Sequence, residues 1–146
     1  RLWCTLYIGG KKAGQIVSSG PYSVMRNPLY FFSSIGAVGI GAQSGRLSIA
    51  LLFGTLCVAA FSIVIRREER FLSAQFGGSY ADYLVGVPRF FPNLRLFRDE
   101  ESLVVIPKRI YATLLDGLVF FAAFPAFEAI EYLQETGILP VLLRLY

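Results

Sequence analysis

Gly20-Pro21-Tyr22-Ser23-Val24-Met25-Arg26-Asn27-Pro28-Leu29-Tyr30 marks the point where a polar loop turns into an apolar helix. Asn27 suits the N-cap position and Pro28 the first helical position, where a missing N–H costs nothing. Leu29 to Ala42 is apolar, with Gly36, Gly39 and Gly41 interspersed, and glycines so spaced let helices approach closely in lipid. Gln43-Ser44-Gly45-Arg46 reads as a turn, and Leu47 to Ile65 then runs 19 residues without a charge. At 1.5 Å per residue that run covers roughly 28 Å, close to the hydrocarbon thickness of a bilayer. Residues 27–65 therefore predict a transmembrane hairpin. Arg26 at its start and Arg66-Arg67-Glu68-Glu69-Arg70 at its end fall at one membrane face.

Working outward, composition agrees. The 146 residues are 55% hydrophobic and 15% aromatic, and the mean hydropathy is +0.56. That excludes an ordinary soluble domain, in which charged residues alone make up about a quarter. Lys11, Lys12 and Arg26 flank one end of the hairpin and Arg66, Arg67 and Arg70 the other, against Arg46 alone at the turn. The positive-inside tendency puts both flanks, and any site between them, on the cytoplasmic side. Ile110 to Leu133 is a further apolar stretch holding Asp116, Pro125, Glu128 and Glu131, and predicts a C-terminal membrane helix within a region of about 109–146. Acids at such depth are expected to face protein or water. Gly137 to Tyr146 is too short to span. The expected architecture is all-α, one integral-membrane helical domain over 1–146 with short cytoplasmic helices.

Between the spans, the second helix is expected to continue to Phe76 and to stop at Gly77-Gly78. Ser79 is expected to cap a short helix whose third residue is Asp82. Gly86-Val87-Pro88-Arg89-Phe90-Phe91-Pro92 reads as an extended loop. The chain has no His, so it lacks the usual proton shuttle and the commonest metal ligand. Cys4 and Cys57 are far apart and form neither a zinc motif nor a disulfide framework. No metal and no nucleic-acid partner is expected, and no P-loop or dinucleotide fingerprint is present.

Glu68 and Glu69 follow Ile65 by three and four residues, on the side shared by Ile65, Leu72 and Phe76. Neither has a Lys or Arg three or four residues later to pair with. Two readings stay open: a charged helix end paired with nearby arginines, or a carboxylate pair accepting hydrogen bonds from hydroxyls or an ammonium. Arg26 beside a helix N-terminus can hold a carboxylate. It can equally be a positive-inside arginine. Tyr22 and Tyr30 offer ring faces and hydroxyls, and also suit a membrane interface. Together these groups describe a receptor for a zwitterion, with a cationic end, an anionic end and aromatics between. S-adenosylmethionine fits such a receptor, and composition alone does not single it out among zwitterions.

Gly20-Pro21-Tyr22, Arg26-Asn27-Pro28-Leu29-Tyr30, Glu68-Glu69, Phe76-Gly77, Tyr80, Tyr83 and Val87-Pro88-Arg89-Phe90-Phe91-Pro92, in that order and spacing, resemble the isoprenylcysteine carboxyl methyltransferase and phospholipid methyltransferase group. The resemblance covers roughly residues 5–95. It implies an integral-membrane methyltransferase that uses S-adenosyl-L-methionine, with a cytoplasm-facing cofactor pocket and a lipophilic or prenylated acceptor arriving through the bilayer. Carried over by position, Gly14, Gln15, Ile16, Val17, Tyr22, Asn27, Pro28, Leu29, Tyr30 and Glu68 would line the cofactor. Arg26, Glu68 and Glu69 would carry the chemistry. Two departures bear on the acceptor. Carboxyl methyltransferases usually have His where Asn27 stands, and the eukaryotic ones carry an Arg where this chain has Val64. The resemblance favours O-methylation of an isoprenylcysteine-like carboxyl. N-methylation of a phospholipid amine, an NADPH-dependent sterol-reductase-like activity and a non-catalytic membrane module are the alternatives.

Overall fold

The computed structural model describes residues 1–11, 14–138 and 140. Lys12 and most of the final stretch after Gly137 lie outside the described residues. Within them the chain is all-helical: α1 (Leu2–Gly9), α2 (Pro21–Val24), α3 (Pro28–Ala42), α4 (Leu47–Phe76), α5 (Gly78–Gly86) and α6 (Pro107–Glu135), with a single 3-10 turn at Leu94–Leu96.

The two long helices are α4 and α6, of 30 and 29 residues, and both are long and apolar enough to cross a membrane. Only 17% of the apolar window of α4 and none of that of α6 is buried. Apolar surface left uncovered on this scale belongs against lipid, so the fold is a membrane helical bundle. The first limb of the expected hairpin is shorter than a full span. α3 has 15 residues, about 22 Å, against a hydrocarbon thickness of about 30 Å. Asp116, Glu128 and Glu131 lie exposed on the surface of α6.

α3 and α4 pack as the hairpin's two limbs, and two glycines set how closely. A Cβ on Gly41 would stand 2.6 Å from the Ala50 Cα, and one on Gly54 would stand 2.6 Å from Val38 Cγ2. Side chains at either position would push the limbs apart. α6 packs on α1 and α3. Its Phe120 ring covers Gly36, its Arg109 Nη1 donates to the Gly9 carbonyl at 2.9 Å, and Thr113 and Thr5 share a hydroxyl hydrogen bond of 3.1 Å.

Helix ends follow the expected stops but not always the expected caps. α4 ends at Phe76, and Gly77 takes φ +56°, a conformation that glycine adopts without a Cβ penalty. Gly77, not Ser79, is also the N-cap of α5. Ser79 falls inside the helix because the chain re-enters helical geometry directly after the left-handed glycine. Asn27 does stand at the N-cap of α3, yet its side chain makes no capping bond. Its Nδ2 instead donates to the Arg89 carbonyl at 3.4 Å.

A strap formed by residues 87–100 binds the loop ahead of α3. The Arg26 N–H donates to the Pro88 carbonyl and the Asn93 N–H to the Val24 carbonyl, both at 2.9 Å, and the Gly20 N–H donates to the Arg98 carbonyl at 2.7 Å. The Arg98 N–H donates to Ser23 Oγ at 3.0 Å. Beyond it, the Tyr7 hydroxyl donates to Asp99, and Lys11 and Ser19 both donate to Glu100. Gly20, at φ +57°, lies flat on the Tyr7 ring, where a Cβ would come within 2.2 Å of Cζ.

Two predictions follow from this packing. Gly41→Leu should lower stability in detergent by about 1–3 kcal/mol, the usual range for overpacking. Gly39→Leu, where a Cβ meets open space, should cost clearly less; equal thermal shifts would contradict the packing described. The second concerns acid. The Tyr7 hydroxyl holds the Asp99 carboxyl below its ordinary range, and the Lys11 ammonium does the same for Glu100. Groups depressed on folding contribute fully above their unfolded values of about 4 and lose that contribution as pH falls through the lower folded values. Trp3, the single tryptophan, packs 6.2 Å from Phe97 on the strap. Its fluorescence should therefore change below about pH 4, and the change should vanish in an Asp99→Asn/Glu100→Gln double variant. An identical acid response in that variant would disprove the coupling.

Candidate functional site

The hairpin's register decides what meets at its polar end. From the Val38–Gly54 contact, Tyr30 lies eight residues back along α3 and Glu68 fourteen residues on along α4. Those distances are about 12 Å and about 21 Å at 1.5 Å per residue. The difference is bridged by side chains. The Tyr30 ring packs 4.9 Å from the Phe61 ring, at its own level on α4, and its hydroxyl reaches on to donate to Glu68 Oε2 at 2.9 Å.

One residue further along α4, Glu69 is held between two arginines. Arg89 Nη2 donates to Oε2 at 2.7 Å, and Arg26 Nη1 lies 3.4 Å from Oε1. The Glu69 and Arg26 side chains are only 17% and 18% exposed. In such partly desolvated surroundings a short charge-assisted bond matters far more than at an open surface. Arg89 also stacks over the Phe90 ring at 5.6 Å.

Gln15, Ile16, Val17, Tyr22, Arg26, Asn27, Glu68 and Glu69 line one cavity of about 170 Å³. Eight of the residues singled out in the sequence are thus brought together from three separate stretches. Tyr30 joins them through Glu68. Gly14 stands exposed with open space around it. Pro28 is fully buried inside the start of α3 and Leu29 is half-buried. None of these three forms part of the cavity wall. Ile8, Leu72, Tyr80 and Tyr83 complete the lining. Tyr80 and Tyr83 belong to the pattern that carries the family resemblance but not to the residues expected to line the cofactor. Ile8 and Leu72 carried no signal beyond being apolar.

α5 closes the cavity's far side. The Tyr83 hydroxyl donates to the Tyr22 carbonyl at 2.8 Å, and the Tyr80 and Tyr83 rings lie 5.8 Å apart. Burial pushes the Tyr22, Tyr80 and Tyr83 phenols above the ordinary tyrosine range. All three remain neutral at physiological pH, available as hydrogen-bond donors and ring faces but not as bases.

A second space adjoins the first. Between α3 and α4 runs an apolar groove of about 600 Å³, walled by Ile35, Val38, Gly54, Val58 and Phe61 and ending at Tyr30 and Phe90. Tyr30 stands at the junction, its ring in the groove and its hydroxyl on Glu68. The site thus pairs a small polar chamber carrying two acids and a mostly buried arginine with an apolar groove between two helices. Among the described residues no group of three or more Cys, Asp or Glu is placed to hold a metal ion.

The chain is 34% identical over 145 residues to the cobalt-zinc-cadmium resistance protein CzcN of Cupriavidus metallidurans, covering 99% of this chain and 67% of that protein. It is 35% identical over 145 residues to the nickel-cobalt-cadmium resistance protein NccN of Alcaligenes xylosoxydans, covering 99% and 68%. A protein-S-isoprenylcysteine O-methyltransferase of Schizosaccharomyces pombe is 35% identical over 77 residues, 53% of this chain and 33% of that enzyme. No solved structure matches. The sequence profile of phospholipid methyltransferases matches residues 3–79, which run from α1 through both acids to the start of α5. The chain is a member of the phospholipid methyltransferase family.

Proposed function

We propose that the protein transfers a methyl group from S-adenosyl-L-methionine to a lipophilic acceptor at the cytoplasmic face of the membrane, and that the acceptor is an isoprenylcysteine-like carboxyl. The observation carrying this reading is the meeting of Arg26, Asn27, Tyr30, Glu68 and Glu69 at the mouth of an apolar groove. Family membership and the isoprenylcysteine methyltransferase relative support the same chemistry.

The donor set suits a nucleoside sulfonium. Arg26 matches a carboxylate, Glu68 matches an ammonium or ribose hydroxyls, and Tyr22, Tyr80 and Tyr83 offer ring faces. The enclosed volume of about 170 Å³ is below the roughly 300 Å³ at which ligand pockets usually begin. A bound cofactor of ordinary size would therefore extend beyond this chamber. When bound, S-adenosyl-L-methionine supplies an electrophilic methyl on a sulfonium.

The chain's residues then have three tasks: to align the nucleophile, to exclude water and to manage charge. The groove orients the acceptor by its hydrocarbon, presenting its polar end beside Tyr30. The tyrosines and Leu72 keep water from the chamber. A carboxylate acceptor reacts without losing a proton, which suits a chain without His. A phospholipid amine is the second reading, favoured by the family profile itself. It requires a base, and Glu68, which accepts from the neutral Tyr30 phenol, is the acid placed to take the proton. The names of the two metal-resistance relatives give a cellular role rather than a reaction, and methylation of a membrane constituent is compatible with it.

Labelled S-adenosyl-L-methionine incubated with purified protein and either a farnesylated cysteine or phosphatidylethanolamine tests the reading. Label on the farnesylated cysteine that alkali releases as methanol is expected; alkali-stable label on the amine would move the acceptor to the second reading, and no label on either, nor on native lipid extract, would refute transfer. Glu68→Gln and Tyr30→Phe should each weaken binding of S-adenosylhomocysteine, Glu68→Gln by about tenfold, with little change in melting temperature. Calorimetry giving wild-type affinity in both would remove the pair from the site.

A further inference from the structure

Arg26 is a cation short of acceptors. Its side chain is 18% exposed, its Nε is buried with no hydrogen-bond partner among the described residues, and its guanidinium reaches Glu69 only at 3.4 Å. A guanidinium carries five donors in a fixed fork, and a buried one with so few acceptors calls for an anion. Glu69 is the acid that would satisfy it, but Glu69 is drawn the other way by Arg89, at 2.7 Å.

Arg89 is itself fixed in place. Its carbonyl accepts from Asn27 Nδ2, the preceding Pro88 carbonyl accepts from the Arg26 N–H, and its guanidinium rests on Phe90. It stands behind Glu69, outside the cavity wall. The same short loop thus holds the Arg26 backbone N–H and the Asn27 side-chain amide, while the Arg89 guanidinium takes the shorter bond to the Glu69 carboxylate and leaves Arg26 the longer one.

We propose that Arg89 is a positioning residue that holds Glu69 away from Arg26, keeping the Arg26 guanidinium open for the carboxylate of a bound ligand. The inference rests on the methyltransferase reading for the ligand's identity. That carboxylate belongs either to the amino-acid end of the donor or to an acidic acceptor. Without Arg89, Glu69 closes the 3.4 Å gap, pairs with Arg26 and occupies the anion site from within. Glu69 is then a switchable anchor, and Glu68 is left as the acid that meets ligand.

Calorimetry on the full chain in detergent, with S-adenosylhomocysteine and its decarboxylated analogue, tests this. Arg89→Ala should weaken S-adenosylhomocysteine about tenfold, the scale of one charge-assisted hydrogen bond, and leave the analogue unchanged. Arg89→Lys should stay near wild type. The Arg89→Ala/Glu69→Gln double variant should recover most of the lost affinity, because no anion remains to close on Arg26. If the ligand is instead the acceptor, Arg89→Ala leaves S-adenosylhomocysteine binding intact and raises KM for the acidic acceptor, again with recovery in the double variant. Equal weakening of both ligands, or a double variant as weak as Arg89→Ala, would reduce Arg89 to a scaffold residue and overturn the inference alone. A wild-type protein that binds neither ligand would overturn the methyltransferase reading and this inference with it.

Discussion

The close approach of α3 and α4 at Gly41 and Gly54 is the constraint on which the site depends. With backbone of one limb against backbone or a small side chain of the other, the hairpin has little freedom to slide. A shift of one residue along α4 would turn Glu68 and Glu69 by about 100° around the helix and take both off the cavity. Packing in lipid gains nothing from burying apolar surface, so helix contacts of this kind rest on van der Waals fit and on small residues that permit it. The apolar groove runs along this same seam, from Val38 and Gly54 to Tyr30 and Phe61.

The polar end is assembled differently. It is held by hydrogen bonds between segments distant in sequence, and the strap supplies most of them. Residues 88–98 fasten the backbone of Gly20, Val24 and Arg26, and α5 holds Tyr22 through Tyr83. Without the strap, residues 19–27 would be a loop with few partners of its own, and Arg26 and Asn27 would have no fixed position relative to α4. The division of labour is physical: glycine packing in the apolar layer sets the height of the acids, and backbone bonds at the surface set the place of the arginine.

What sequence could reveal follows that division. The uncharged run at 47–65, the glycine stop at Gly77 and the Pro28 helix start were all readable, because each is a local property of chain stiffness or hydropathy. The meeting of Asn27 and Tyr30 with Glu68 and Glu69 was readable only by assuming a hairpin, since nothing local joins residues some forty positions apart. The errors were local rules overruled by neighbours. Asn27 occupies a capping position, but its amide is taken by Arg89. Ser79 has the right chemistry for a cap, but Gly77 had already set the chain's direction. The pull of Arg89 on Glu69 had no local sequence signal, because it depends on how the 87–92 loop folds back, and neither did the pairing of the strap's acids with Tyr7 and Lys11.

In the proposed reading, the cavity between the start of α3 and the acids of α4 holds the methyl donor. Ultraviolet cross-linking of labelled S-adenosyl-L-methionine to the purified protein, followed by peptide mapping, asks this directly. Label confined to peptides containing residues 15–30 and 68–83, and abolished by excess S-adenosylhomocysteine, is the predicted result. Competed label elsewhere, on α6 or within the apolar groove, would contradict it.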